Sequence, residues 1–335
     1  MAASHHQTDI AIIGAGPVGL FAVFECGMLG MKVHVIDTLE MIGGQCAALY
    51  PEKPIYDIPA WPRITGEKLI VQLEEQAAPF KPVYHLGQQV VSVEKKNDGW
   101  KVTTSKDVTI ECKAIFIAGG AGSFGPNKPP LKDLEQFENG SVHYYVRKRD
   151  DFKGKTLVIA GGGDSAVDWA ISLSDIAKKI YVVHRRDDFR AAPESVRQMK
   201  DAKNVEMIIP YQLSALKGDK GKISHVHVKT MQGEERILEA DVLLPFFGLA
   251  MNLGPIAQWE LNLNKHQIAV DPATLETNQA RIFAIGDIAH YPGKLKLILQ
   301  GFSEAAMASH AAFKYVKPGQ IADLSHSTDK GVPAA

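Results

Sequence analysis

The stretch TLVIAGGGDSAVDWA, residues 156–170, reads as a short apolar strand running through a glycine turn into a helix. Gly161, Gly163 and Ala166 stand at the spacing of a dinucleotide turn, where small residues let backbone and phosphate approach each other. An equivalent stretch, DIAIIGAGPVGLFAVF, occupies residues 9–24, with Gly14, Gly16 and Gly19 at the three turn positions and Pro17 opening the helix. Two such turns in one chain predict two nucleotides and a transfer between them.

In the first turn, Gly14 permits the tight bend, Gly16 clears room for a pyrophosphate, and Gly19 lets helix pack on strand. Free N–H groups and the helix dipole then face the phosphates. The next strand, KVHVID, ends in Asp37, eighteen residues past Gly19, where an acid can bond ribose hydroxyls. In the second copy the same count of eighteen from Ala166 reaches His184, with Arg185, Arg186 and Arg190 close behind. A carboxylate there would repel a 2′-phosphate, whereas guanidinium forks bind it, so this site reads as one for NADP. A solvated turn, with Asp187 and Asp188 balancing the arginines, is the alternative.

The frame around these turns is plain. The chain has 335 residues, 45% of them hydrophobic, enough for about two domains with proper cores. A net charge of −1 gives no reason to expect nucleic acid or an anionic membrane as a bulk partner. No apolar run approaches the roughly 18 residues of a spanning helix, and no signal-peptide pattern precedes the strand near Ile10. Three cysteines, Cys26, Cys46 and Cys112, form neither a disulfide framework nor a metal-ligand spacing, so no metal is expected and a reducing, cytoplasmic setting is.

Two glycine-bearing strands, AIFIAGGAG (114–122) and DVLLPFFGLA (241–250), bracket the second turn and mark where one domain is inserted into another. Inside lies a predicted hairpin, ISHVHVKT returning as EERILEADVLL. The expected organisation is α/β and doubly wound, with two Rossmann-like nucleotide domains. Residues 1–118 and 250–335 form the first, and 119–249 the inserted second.

These residues together resemble the two-dinucleotide flavoproteins, thioredoxin reductases in particular. GGGDSAV (161–167), HRRDDFRA (184–191) and IFAIGD (282–287) carry the likeness, which spans nearly the whole chain. The resemblance implies FAD in the first domain, with Asp287 bonding its ribityl chain, and NADP in the second, with Asp164 and Ser165 opening the helix there. One departure is decisive. Thioredoxin reductases carry C-x-x-C ahead of the second turn, but 141–155, SVHYYVRKRDDFKGK, has no cysteine. In the other disulfide-reductase placement, GGQCAALYP, Cys46 fills the first position and Pro51 the second. Exchange through an internal pair needs two thiols within reach.

The segment ALYPEKPIYDIPAWP (48–62) and the tail HST (326–328) resemble instead the thioredoxin-reductase-like ferredoxin–NADP reductases. That resemblance implies Tyr50 stacked on one flavin face and His326 covering the other. Gln45, Val90, Phe124 and Thr328 would be further FAD contacts, and a C-terminal extension would reach across a homodimer. It further implies ferredoxin or flavodoxin as partner, and the cofactor's own chemistry in place of a catalytic acid or base. A diffusible small acceptor, such as a flavin or quinone, is the main rival. The run VRKRDDFKGK, with Arg147, Lys148, Arg149, Lys153 and Lys155, is either a docking rim for an acidic partner or a solvated face.

Overall fold

The computed structural model describes residues 4–120, 122–138, 140–322 and 331–332. The chain divides into two compact units, Met1–Phe124 with Met251–Ala335, and Gly125–Ala250.

In the first unit, among the described residues, a seven-stranded sheet is built on the strand His5–Ile13. Val33–Ile36 lies parallel to it on one side and Thr109–Ile117 on the other. Thr109–Ile117 then pairs antiparallel with Gly99–Thr104 over its first half and parallel with Ile282–Ala284 over its last residues. Alternation along the strands sorts the core into two layers. Ile10, Ile12, Val33, Val35 and Phe116 pack against the helices Pro17–Met28 and Ile298–Val316. Ala11, Ile36, Ile115 and Ile117 face Val102, Trp259 and Ile268 on the opposite side. Each large side chain fully buried here, such as Phe116 or Ile10, contributes about 1.5–3 kcal/mol. The helix Ile298–Val316 is rich in small residues because it rides close on its neighbour: a Cβ on Gly301 would fall 2.3 Å from Val18 Cγ2.

In the second unit, Thr156–Ala160 is the inner strand of a parallel sheet, flanked by Lys179–Val183 and Val242–Pro245, with Val205–Ile208 beyond. The predicted hairpin forms between Lys222–Lys229 and Glu235–Glu239, with Val228 opposite Arg236. Its return strand ends at Glu239, and the chain then enters the parallel sheet. An outer strand, Gln212–Asp219, extends the hairpin to three strands. It was not legible in the sequence because none of it is fully buried and its apolar residues, Leu213, Ala215 and Leu216, keep no sustained alternation.

The two glycine-bearing segments are not continuous strands. In 114–122 the strand stops at Ile117, and Gly120 (φ +57°) and Gly122 (φ +74°) turn the chain. In 241–250, Val242–Pro245 and Leu249–Asn252 are separate strands, divided at Gly248 (φ +83°). Side chains avoid such angles, so the glycines break the strands that their apolar neighbours favour.

Candidate functional site

Each unit places its glycine turn where the first strand has parallel neighbours on both sides, the crevice at which open α/β sheets bind ligands. In the first unit, Gly14 takes φ +115°, and a Cβ there would lie 2.4 Å from the Ala118 carbonyl oxygen. A Cβ on Gly19 would lie 2.0 Å from the Gly14 oxygen, so helix and turn meet only if both residues are glycine. Gly16 precedes the helix Pro17–Met28, which has no side-chain cap, leaving first-turn N–H groups to be satisfied from outside.

These N–H groups open on a cleft enclosing about 1140 Å³ of empty space, part of it open to solvent. Gly14, Gly16 and Pro17 form one end. Asp37, Gln45 and Val90 line it further on, and Tyr50 and Asp287 also face it. Gly19 supports the turn from behind. Asp37 Oδ2 accepts the Ala15 N–H at 2.6 Å and Oδ1 accepts the Leu39 N–H at 2.8 Å. Burial raises its carboxyl above the usual range, and those two bonds oppose the rise. The acid therefore pins the turn while still facing the cleft. Burial also raises Asp287, against the pull of Lys294 and Lys296.

Cys46 lies in the short helix Gly44–Ala48, with its Sγ 3.8 Å from the Tyr50 hydroxyl. Burial pushes the Cys46 thiol up to about 11, and Cys26 and Cys112 up to about 12. All three are free and buried, and none carries the depressed pKa of a reactive thiolate. Tyr50 is raised too, by burial first, so its ring presents a neutral hydroxyl.

The side chain of Phe124, with His326 and Thr328, lies outside the described residues. Sequence reasoning missed Gly44, whose Cβ would fall 3.0 Å from Gly16 Cα, although the adjacent Gly43–Gly44 pair was a visible signal. It also missed the wall made by Gln88, Gln89, Leu253 and Ile256, which come from distant loops with no shared motif.

In the second unit, a Cβ on Gly161 (φ +151°) would lie 2.6 Å from the Phe246 oxygen, matching the Gly14 arrangement. Gly163 precedes the helix Asp164–Leu173, again without a side-chain cap, and has open space where its Cβ would be. Asp164 and Ser165 open that helix at the surface, and Ala166 is buried beneath the turn. Arg185, Arg186 and Arg190 are exposed, with no ion pair found to them among the described residues. The Arg190 N–H reaches back to the Gly162 oxygen at 2.8 Å, holding this loop against the turn. His184 behaves differently from its counterpart Asp37. It is buried, its Nε2 is 3.2 Å from the Asp188 oxygen, and its ring lies where a Gly162 Cβ would be. Burial lowers its pKa, so what it offers the turn is a neutral packing surface.

Of the basic run, Arg147, Lys148, Lys153 and Lys155 are exposed, whereas Arg149 turns back to pair with Asp175. Among the described residues, no helix is long and apolar enough to cross a membrane, and no cluster of His, Cys, Asp and Glu is arranged to hold a metal.

The donor set fits FAD in the first cleft: an uncapped helix end for a pyrophosphate, an acid beyond it, and an aromatic wall. Residues 8–312 match the family model described as pyridine nucleotide-disulphide oxidoreductase. The chain is 58% identical over 328 residues to a Ferredoxin--NADP reductase of Rickettsia rickettsii (strain Iowa), covering 97% of this chain and 96% of that one. It is 56% identical over 334 residues to a protein of the same name from Paramagnetospirillum magneticum, covering 98% and 99%. In fold it is similar to T. acidophilum thioredoxin reductase, with a TM-score of 0.82, 23% identity, and coverage of 92% of this chain and 98% of that one.

Proposed function

The chain belongs to the pyridine nucleotide-disulphide oxidoreductase family, in its ferredoxin–NADP reductase branch, and we propose that it passes electrons between NADPH and a ferredoxin or flavodoxin through bound FAD. The observation that carries this reading is a nucleotide cleft holding one buried, protonated thiol where a disulfide reductase needs two. When bound, FAD accepts a hydride from NADPH and releases electrons one at a time.

The protein's part is binding and orientation. Gly14, Gly16 and the uncapped helix behind Pro17 hold the FAD pyrophosphate, Asp37 takes its ribose, and Asp287 takes the ribityl chain. Tyr50 would cover one face of the ring, with Gln45 and Val90, which line the same cleft, as neighbouring contacts. For the other face the resemblance assigns His326, with Phe124 and Thr328 as further contacts. In the second unit, Gly161, Gly163, Asp164 and Ser165 receive the NADPH pyrophosphate, and Ala166 and His184 shape the turn. Arg185, Arg186 and Arg190 take the 2′-phosphate. The four exposed cations among 147–155 give an acidic ferredoxin a docking rim.

The enzyme works in the cytoplasm as a homodimer. Supporting the homodimer, Leu295, Leu297, Leu299 and Met307 expose apolar surface along one helix and its approach, an area that a second copy would cover. The test is anaerobic: FAD-loaded protein and NADPH are offered ferredoxin, thioredoxin and a quinone in turn. Ferredoxin should be reduced fastest and thioredoxin not at all. Rapid quinone reduction with inert ferredoxin would favour the small-acceptor reading.

A further inference from the structure

Behind the Gly286–Asp287 turn lies a buried ion pair that no sequence motif marks. Glu304, on the helix Ile298–Val316, is 1% exposed, and the Lys294 side chain is 4% exposed. Glu304 Oε2 accepts the Gly286 N–H at 2.7 Å, and its Oε1 accepts the Tyr291 hydroxyl at 2.6 Å. The same Oε1 is 2.7 Å from Lys294 Nζ, which faces it at ion-pair distance without a well-aligned hydrogen bond. Gln300 Nε2 donates to the Tyr291 hydroxyl at 2.6 Å, and its Oε1 accepts the Leu295 N–H at 2.9 Å. The segment from Gly286 to Leu295 is thereby held to the helix at four residues, Gly286, Tyr291, Lys294 and Leu295.

Holding a loop does not by itself require charge. Apolar side chains of similar volume usually close such a gap at no greater cost than a desolvated ion pair. The pair stands directly behind the turn whose Asp287 faces the cleft, and Gly286, which Glu304 grips, lines the cleft itself. At this depth a charge is poorly screened and is felt by whatever fills the cleft.

We propose that Glu304 and Lys294 are a positioning and tuning pair for the flavin: Glu304 fixes the Gly286–Asp287 turn against the cofactor, and the balance of the two charges sets the field at its reducible ring. This rests on the FAD reading of the cleft. A buried cation left alone there favours the more negative, reduced flavin, and a buried anion left alone disfavours it.

The test uses the full-length, FAD-loaded protein and reads the FAD midpoint potential and the FAD dissociation constant. Glu304→Gln, leaving Lys294 uncompensated, should raise the potential. Lys294→Met, leaving Glu304 uncompensated, should lower it, and the double variant should return close to the parent. Loss of the Gly286 grip in Glu304→Ala should weaken FAD binding about tenfold or more. Tyr291→Phe removes a neutral hydroxyl from the same carboxylate, so it should weaken binding with the potential unmoved; it serves if the charge variants fail to fold. Shifts of the same sign in both single variants, no shift in either, or a shifted potential in Tyr291→Phe would overturn the proposal. A parent protein that takes up no FAD would overturn the flavin reading itself, a separate result.

Discussion

Cys46 Sγ and the Tyr50 hydroxyl are 3.8 Å apart, Tyr50 lying just past the short helix that carries Cys46, and no other cysteine lines their cleft. Where a dithiol enzyme has a second sulfur, this chain has a proline at 51 and a phenol facing the lone thiol. Replacing Cys26, Cys46 and Cys112 together with alanine should therefore leave NADPH-driven ferredoxin reduction within about threefold of the parent, provided FAD content is equal. Loss of turnover in a folded, FAD-loaded triple variant would restore a thiol mechanism.

The ring of Tyr50 should matter more than its hydroxyl, since the hydrogen-bond partner of the hydroxyl among the described residues is a weak thiol. Tyr50→Phe should keep the flavin spectrum and FAD retention close to the parent. Tyr50→Ala should change the visible spectrum and weaken FAD retention by roughly tenfold, as expected for losing an aromatic stacking partner. Equal behaviour of the two variants in spectrum and dialysis would remove Tyr50 from the flavin.

Arg185 and Arg186 reach solvent without ion pairs among the described residues, so their replacement costs the fold little. The Arg185→Ala, Arg186→Ala double variant should lose roughly 30- to 150-fold in kcat/KM for NADPH, mostly through KM. NADH lacks the 2′-phosphate and should hardly respond. Steady-state kinetics with both nucleotides decide the matter: equal losses would mean that the arginines hold the loop and not the phosphate.

A buried histidine pair gives the first unit a pH dependence of its own. His34 Nδ1 and His85 Nε2 are 3.0 Å apart, and burial first, then the neighbouring imidazole, pushes His34 down to about 4. An unfolded histidine titrates near 6.5, so between about pH 6.5 and 4 the unfolded chain binds more protons than the folded one. Stability present above pH 6.5 is accordingly lost as pH falls through that window, on the order of 2 °C of Tm per pH unit. Melting curves from pH 7.5 to 5 should show this slope in the parent and a shallower one in His34→Gln. Parallel slopes would place the dependence elsewhere.

Local geometry is what the sequence displays. The glycines at 14 and 19 are dictated by backbone approach within one turn, Gly16 falls between them at the motif's spacing, and Asp37 follows by the length of one helix and one strand, so spacing alone marked them. Counting also aligned His184 with Asp37, but spacing cannot show that the following arginines point to water while the imidazole is buried under Gly162. Gln88, Gln89, Leu253 and Ile256 reach the cleft only through tertiary packing, and no periodicity marks them. Glu304 did leave a trace: it is a carboxylate on the same buried face as Gly301, Ala305 and Ala308. A charge among small residues at helical spacing is a signal that composition hides.

Anaerobic titration of the FAD-loaded protein with NADPH, followed by visible absorption and a thiol count, tests the central claim most directly. Electron transfer through flavin alone predicts that the flavin absorption bleaches in proportion to the first equivalent of NADPH, with an unchanged number of titratable thiols in the denatured protein. Uptake of a second equivalent with the appearance of two new thiols, or a flavin that NADPH leaves oxidised, would contradict it.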